Sequence, residues 1–408
     1  MSPTVISGAK IFDGEVTLTA TAVLVEGGRI ARVGDEVPGG AEIVDGSGAT
    51  LLPGLIDAHV HTSKDELALA LRFGVTTELE MQGRNTRYNR AHITDDDTVA
   101  DVCSSGFAIT PPGGHPSELF PEDFRPGPPP GAKPAGPPPI MPFSTTPEQA
   151  VAFIPQLIES GSDYIKFMID DGRIEGHPGT PMLDQATLNA GVAEAHRHGM
   201  LAVAHALTVD ATRMAAEAGI DGLVHIFMDQ PHTDEIITLI KEAGMFVVPC
   251  IVLNASMMGI TGSDLADDPR VAPRLNAAWD ITLRSSFGHY PQGSINDVLA
   301  TVKALSDAGV DLLAGTDASQ ALPFLGGLAH GASIHRELEY LVRAGLTPSQ
   351  ALRAATATSA RRFGLGDRGR ITEGSRADLL LVDGDPTVDV SDTLNTRAIW
   401  RRGTRLTA

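Results

Sequence analysis

Leu51-Leu52-Pro53-Gly54-Leu55-Ile56-Asp57-Ala58-His59-Val60-His61-Thr62 is an apolar run that stops abruptly on two histidines one residue apart. It reads as a buried strand, residues 51–59, that delivers ligands at its end. On a strand, residues i and i+2 point to the same face, so His59 and His61 project side by side, as two imidazoles on one metal ion must. With thirteen histidines in 408 residues such a pair also arises by chance, and a satisfied structural histidine is the commoner case. The reading therefore depends on what the rest of the chain brings to the same place.

Downstream of this run the periodicity alternates between strand and helix. Further strands are expected at 75–82, 107–110, 164–170, 201–205, 222–227, 246–252 and 311–317. Amphipathic segments follow most of them, at 64–73, 185–198, 210–218 and 233–243. Eight strands with intervening helices predict an α/β fold, a (β/α)8 TIM barrel over residues 51–365, with its active site at the C-terminal ends of the strands. An open doubly wound sheet is the alternative, but no Gly-rich phosphate loop follows any of these strands.

Upstream, Ala22–Glu26 and Arg29–Val33 are short β-like runs separated by glycines, and a matching pair, Ala377–Val382 and Ala398–Gly403, closes the chain. Neither piece is large enough for a core of its own, so residues 1–50 and 366–408 are expected to complete one small β-sandwich domain. Two connections exceed ordinary βα loops: 111–146, rich in proline and glycine, and 254–291, with a helix-like stretch between Pro273 and Phe287. Leaving the catalytic mouth of a barrel, both are expected to serve as lid or substrate-binding segments.

A formal charge of −20 repels nucleic acid and anionic membranes and leaves small molecules as the expected ligands. The N-terminus lacks a basic segment followed by an apolar core, and no run is apolar enough to span a bilayer, so a cytoplasmic protein is expected. Only Cys103 and Cys250 occur, without Cys-x-x-Cys spacing, which suggests neither a disulfide framework nor a thiolate zinc site.

Four later strands each carry one ligand-type residue near their C-terminal end: Lys166 in Tyr164–Met168, His205 closing Leu201–His205, His225 within Leu223–Phe227 and Asp317 closing Leu312–Asp317. A barrel would bring all four to the mouth where His59 and His61 arrive. A lysine in an apolar strand, with an ordinary pKa of about 10.4, is costly to bury unless it is neutralised or paired. Imidazole and carboxylate ligands suit Zn²⁺ or a similar ion, and the lack of thiolates suits a catalytic site.

This order of residues resembles the metal-dependent amidohydrolase superfamily over nearly the whole chain. Pro111-Pro112-Gly113-Gly114-His115, Gly315-Thr316-Asp317-Ala318, His330-Gly331 and the C-terminal stretches 351–361 and 369–379 look like its imidazolonepropionase and prolidase-like branch. Where that branch commonly carries Glu-His-Gly, this chain has Val224-His225-Ile226. The resemblance implies two divalent metal ions. His59 and His61 would hold the more buried one and His205 and His225 the more exposed one. Lys166, carboxylated by CO2, would bridge them as a carbamate, and Asp317 would bind the buried ion and transfer protons. The activity implied is hydrolysis of a C–N amide-type bond in a small molecule, such as an N-acyl amino acid, a dipeptide-like compound or a cyclic amide, through a metal-bridging hydroxide. A mononuclear deaminase, an esterase, lactonase or organophosphate hydrolase, and an inactive scaffold relative are the alternatives. A homo-oligomer is expected, as is common among such barrels.

His115, after two glycines at the end of the third strand, and His330, beginning the helix after the eighth, are candidates for substrate or oxyanion binding. His196 and His198 also form a His-x-His pair, but they lie on a helix, where residues two apart do not share a face. His177, His232 and His289 are expected in exposed loops. Asp170-Asp171, directly after the lysine strand, could hydrogen-bond into the site, and Arg84, Arg87 and Tyr88 could meet a carboxylate-bearing substrate, but for both sets a solvated loop is the expectation.

Overall fold

The computed structural model describes residues 3–36, 39–119 and 140–406. Most of the proline-rich connection expected at 111–146 therefore lies outside the described residues. The strands run in chain order β1 (Thr4–Ser7), β2 (Lys10–Ile11), β3 (Ala22–Glu26), β4 (Arg29–Gly34), β5 (Glu42–Asp45), β6 (Ala49–Pro53), β7 (Leu55–Val60), β8 (Val75–Glu80), β9 (Asp101–Ser104), β10 (Ile165–Met168), β11 (Ala202–His205), β12 (Gly222–Leu223), β13 (Phe246–Val247), β14 (Leu379–Asp383), β15 (Thr396–Arg401) and β16 (Thr404–Arg405).

The run expected to form one strand at 51–59 is divided at Gly54 and feeds two sheets. β6 pairs antiparallel with β14, from Leu379 opposite Pro53 to Asp383 opposite Ala49, while β7 pairs parallel with β8. Gly54 lies so close to the Thr76 side chain that a Cβ there would overlap it, and its N–H donates to the Asp378 carbonyl. The chain can change partners here because glycine lets another backbone approach closely.

β6 belongs to a sheet ordered β16-β15-β14-β6-β2, which draws on both ends of the chain, and β1, β3, β4 and β5 form a second sheet. Ile6, Ile11, Val23, Leu51, Leu379 and Trp400 pack into one apolar cluster of their own. The central segment is α/β. β7, β8 and β9 form one parallel sheet, and β10 to β13 another. Isolated parallel bridges join Ile109 to Phe167, Val247 to Leu312 and Val60 to Ala318. Helices such as Gln185–Arg197 and Val209–Ala218 follow the strands; Asp184 and Thr208 cap their starts by accepting the N–H groups of Thr187 and Ala211. Among the described residues no helix is long and apolar enough to cross a membrane.

Several strands differ from their expected spans. The third is Asp101–Ser104, with Ile109 and Thr110 contributing only single bridges. The runs at 222–227 and 246–252 keep two strand residues each, and 311–317 contributes a single bridge residue, Leu312. The cause lies where the polar residues are. Cys250 and Asp317 take left-handed backbone conformations, φ 50° and 59°, and Ile251–Met257 turns into a helix. Periodicity registers apolar residues and misses the turn that redirects the chain at the strand end.

His335, on the helix Ala332–Arg343, shows what burial does to a titrating ring in this fold. It is sealed in the interior, with Nδ1 2.8 Å from the Thr393 hydroxyl oxygen and Nε2 donating to the Phe73 carbonyl (3.0 Å). Burial pushes its pKa down to about 3. Because the unfolded chain binds this proton more readily, the contribution to stability is complete above about pH 6.5 and is lost as pH falls towards the folded value. Roughly 3 kcal/mol should disappear between about pH 6.5 and 4 at about 1.36 kcal/mol per pH unit. The His335→Gln variant should therefore lose less stability over that interval than the parent in urea melts. Parallel curves for the two proteins would show that the ring does not stay neutral.

Candidate metal centre

β7 ends by presenting His59, with His61 just beyond it, and each ring is set by its second nitrogen. His59 Nδ1 donates to the Val224 carbonyl at 2.6 Å and His61 Nδ1 to the Gln82 carbonyl at 3.0 Å. Both Nε2 atoms are thus left as lone-pair atoms, the arrangement ligating histidines adopt. They lie 3.1 and 3.0 Å from the same oxygen, Asp317 Oδ1. Although these atoms are close, His59 Nε2 and Asp317 Oδ1 are buried without an aligned hydrogen bond. Acceptor atoms converging on one point in this way match the donor set of a cation. Asp317 is held in its left-handed turn by neighbouring Thr316, whose hydroxyl and N–H both donate to Asp57 (2.7 and 3.0 Å).

The other expected ligands surround this point. His225 Nε2 is 4.0 Å from Asp317 Oδ2, and its Nδ1 is buried and unpartnered. The His225 ring lies 4.6 Å from both the His59 and the His205 rings. Lys166 and His205 sit on paired parallel strands, with Lys166 opposite Val203 and Met168 opposite His205. Lys166 is only 1% exposed.

The electrostatics suit ligation. Burial lowers the His59 pKa to about 4 against the opposing pull of Asp317, and pushes His225 well below its ordinary value. Burial would raise Asp317, but protons on the facing His59 and His61 nitrogens would outweigh it and hold the carboxyl well below the usual range. Burial thus favours neutral imidazoles, as ligation requires, and a cation bound among them would take over the task of keeping the carboxyl ionised. Burial also lowers Lys166 to about 8. Cys250 Sγ is 3.6 Å from His59 Nδ1, but burial pushes its thiol well up, so it stays protonated.

Alongside lies a group that the sequence reading missed. Ligand atoms of His115, Asp170, Glu175 and His205 all fall within 4.8 Å of one another, and all four residues are buried. Asp170 is not part of a solvated loop pair: it is 6% exposed, and its Oδ2 accepts from His205 Nε2 at 2.6 Å. Strand parity offered a signal, since residues 166, 168 and 170 share a face in an extended chain. Its neighbour Asp171 does pair with exposed Arg173. His115 stacks on His205 with ring centroids 4.2 Å apart and bonds Glu118 through Nδ1 at 2.6 Å. Burial alone would lower the His115 pKa, but Glu118, Glu175 and Asp170 raise it to about 9.

The second substrate-binding candidate, His330, is placed elsewhere. It is fully buried; Nδ1 meets Glu78 at 2.8 Å and Nε2 donates to the Ser319 carbonyl at 2.8 Å. With both nitrogens engaged and Trp279 edge-on to the ring, it offers no free atom to a substrate. His196 and His198 pair with Asp221 and Glu194 at a helix end, outside the centre. His177 is exposed, whereas His232 and His289 are half-buried, His289 with Nδ1 3.6 Å from Glu175.

Residues 50–404 match the sequence profile of the amidohydrolase family. The chain belongs to the amidohydrolase family. As an amidohydrolase it is a hydrolase acting on carbon–nitrogen bonds. It is 25% identical to an allantoinase of Solibacter usitatus (strain Ellin6076) over 98% of this chain and 88% of that one. A shorter stretch, 26% of each chain, is 36% identical to an imidazolonepropionase of Deinococcus deserti. Among solved structures, a Xaa-Pro dipeptidase with bound methionine superposes with a TM-score of 0.75 at 20% identity over 100% of both chains. Ochratoxinase from A. niger gives 0.73 at 20% identity, covering 99% of this amidohydrolase and 95% of that chain. At such identities the structural likeness concerns the fold.

Proposed function

We propose that this amidohydrolase is a binuclear metal-dependent hydrolase of a C–N amide-type bond in a small molecule, an N-acyl amino acid, dipeptide-like compound or cyclic amide. The observation that carries this reading is the convergence of His59 Nε2 and His61 Nε2 on Asp317 Oδ1 without hydrogen-bond alignment. His59, His61 and Asp317 would hold the more buried ion, His205 and His225 the more exposed one, and Lys166 would bridge them as a carbamate. Two divalent ions, zinc being the natural choice for imidazole and carboxylate donors, would supply Lewis acidity to the attacking water and the scissile carbonyl.

Asp317, ionised and in contact with both histidine nitrogens, is suited to take a proton from the attacking water and deliver it to the leaving amine. Lys166 has no carboxylate within ion-pair distance among the described residues, so carboxylation would remove an otherwise isolated buried cation. His115, stacked on the His205 ring, would meet the substrate.

A closed (β/α)8 barrel over residues 51–365 is supported by the bridges from β13 to Leu312 and from Ala318 back to Val60. The separate apolar cluster supports a composite domain of residues 1–50 and 366–408. A cytoplasmic location and a homo-oligomeric state remain part of the same reading.

Metal content per chain, measured on protein purified with bicarbonate, tests the centre. About two ions in the parent and clearly fewer in Lys166→Ala are expected, followed by turnover of a compound from a panel of amides, N-acyl amino acids and dipeptides. A single ion unchanged by the substitution would replace the bridged centre with a mononuclear one and bring deaminase substrates forward. Metal-free protein under these conditions would overturn the reading.

A further inference from the structure

We propose that Asp170 is a positioning residue that fixes the tautomer of His205, so that this histidine meets its metal ion through Nδ1. The inference rests on the proposed metal centre.

Asp170 lies two residues beyond β10 and is held at both oxygens. Oδ2 accepts from His205 Nε2 and Oδ1 from the Gly172 N–H, each at 2.6 Å. The turn that supplies the second contact needs a glycine: Gly172 has φ 76°, and a Cβ there would overlap the His177 carbonyl. The carboxylate therefore cannot swing away without breaking the turn. His205 is equally confined. Its ring stacks on His115 at 4.2 Å and meets the His225 ring edge-on at 4.6 Å. A carboxylate can only accept, so Nε2 must carry the ring proton and Nδ1 must carry the lone pair. Among the described residues, Nδ1 makes no hydrogen bond. A carboxylate behind a ligating histidine both orients the ring and strengthens it as a donor to the ion.

The substitution Asp170→Asn separates this role from a merely structural one. To keep the Gly172 bond, the amide oxygen must face the Gly172 N–H, which turns the NH2 group towards His205. Nε2 then has to accept, and the ring proton moves to Nδ1. The side chain keeps its size and the turn keeps its hydrogen bond, but the ligating lone pair is lost.

Two measurements test the proposal. The first is the ring ¹⁵N spectrum of His205 in metal-free protein. It should report a protonated Nε2 in the parent and in Asp171→Asn, and a protonated Nδ1 in Asp170→Asn. The second is chelator competition on the metal-loaded proteins. One of two ions should bind about 10- to 100-fold more weakly in Asp170→Asn, the other as in the parent, with the metal-free melting temperature unchanged. The same tautomer in parent and Asp170→Asn, or unchanged affinity for both ions, would overturn the positioning role. So would a third ion per chain in the parent that Asp170→Asn removes, because Asp170 would then be a ligand itself. Because the spectrum needs no metal, failure of the proposed centre alone would appear as an intact tautomer switch in protein that binds no ions.

Discussion

Asp317→Asn is expected to lower turnover of the amide substrate by about 10³-fold, the middle of the range for losing a general acid–base group. Asparagine has the same outline and tolerates the left-handed backbone that Asp317 adopts at φ 59°, so the turn beside Thr316 should survive. What it cannot do is accept a proton. The Asp317 carboxyl is placed to do so, with its Oδ1 3.0–3.1 Å from both Nε2 atoms. The measurement is kcat on the best compound of the panel, with metal content determined on the same samples. If kcat stayed within tenfold of the parent at equal metal content, Asp317 would have no part in proton transfer.

Asp101→Ala should produce the largest loss of stability, about 3–5 kcal/mol, the cost of leaving buried charges without their partner. Asp101 opens β9 at the end of the strand away from the metal centre. Its Oδ2 meets Arg368 at 2.6 Å, Arg376 at 2.7 Å and Arg401 at 3.6 Å. Arg401 is fully buried, and the other buried carboxylate of the cluster, Asp378, already serves Arg376 and Arg401, while the half-exposed Asp367 holds Arg368. Removing Asp101 therefore leaves three guanidinium groups sharing Asp378 and Asp367, and loosens the C-terminal strands from the central sheet. Burial works to raise this carboxyl, but the three arginines hold it below its ordinary range. Its stabilisation is thus present above about pH 4 and is lost as pH falls further. Urea melts at neutral pH test the magnitude, and a change below about 1 kcal/mol would mean that the cluster relaxes into water. Activity per folded molecule should stay near that of the parent.

Much of the centre was legible in the sequence because its signals are local. His59 and His61 share a face by strand parity, and the apolar runs before Lys166, His205 and His225 mark strands whose ends face one way. The helix positions of His196 and His198 similarly placed them outside the centre. Asp170 ranks as solvated in the sequence because loop residues are so by default; strand parity from Lys166 gives its direction, but no local signal shows that His205, 35 positions away, claims its carboxylate. His330 illustrates the converse. Its place before a helix suggested access to substrate, but Glu78, 252 residues distant, takes one nitrogen.

By itself the sequence determined the alternation of strand and helix, the kinds of candidate ligand and the order in which the chain presents them. Those properties depend on side-chain chemistry and on the two- and 3.6-residue periods of single elements. The tertiary structure decided where the apolar run breaks at Gly54 and which nitrogen of each histidine is left free. It also decided which carboxylates face the centre. These depend on hydrogen bonds and close approaches between distant segments, such as Gly54 against Thr76 and His59 against Val224. Such contacts exist only once the strands stand side by side, so no local period encodes them.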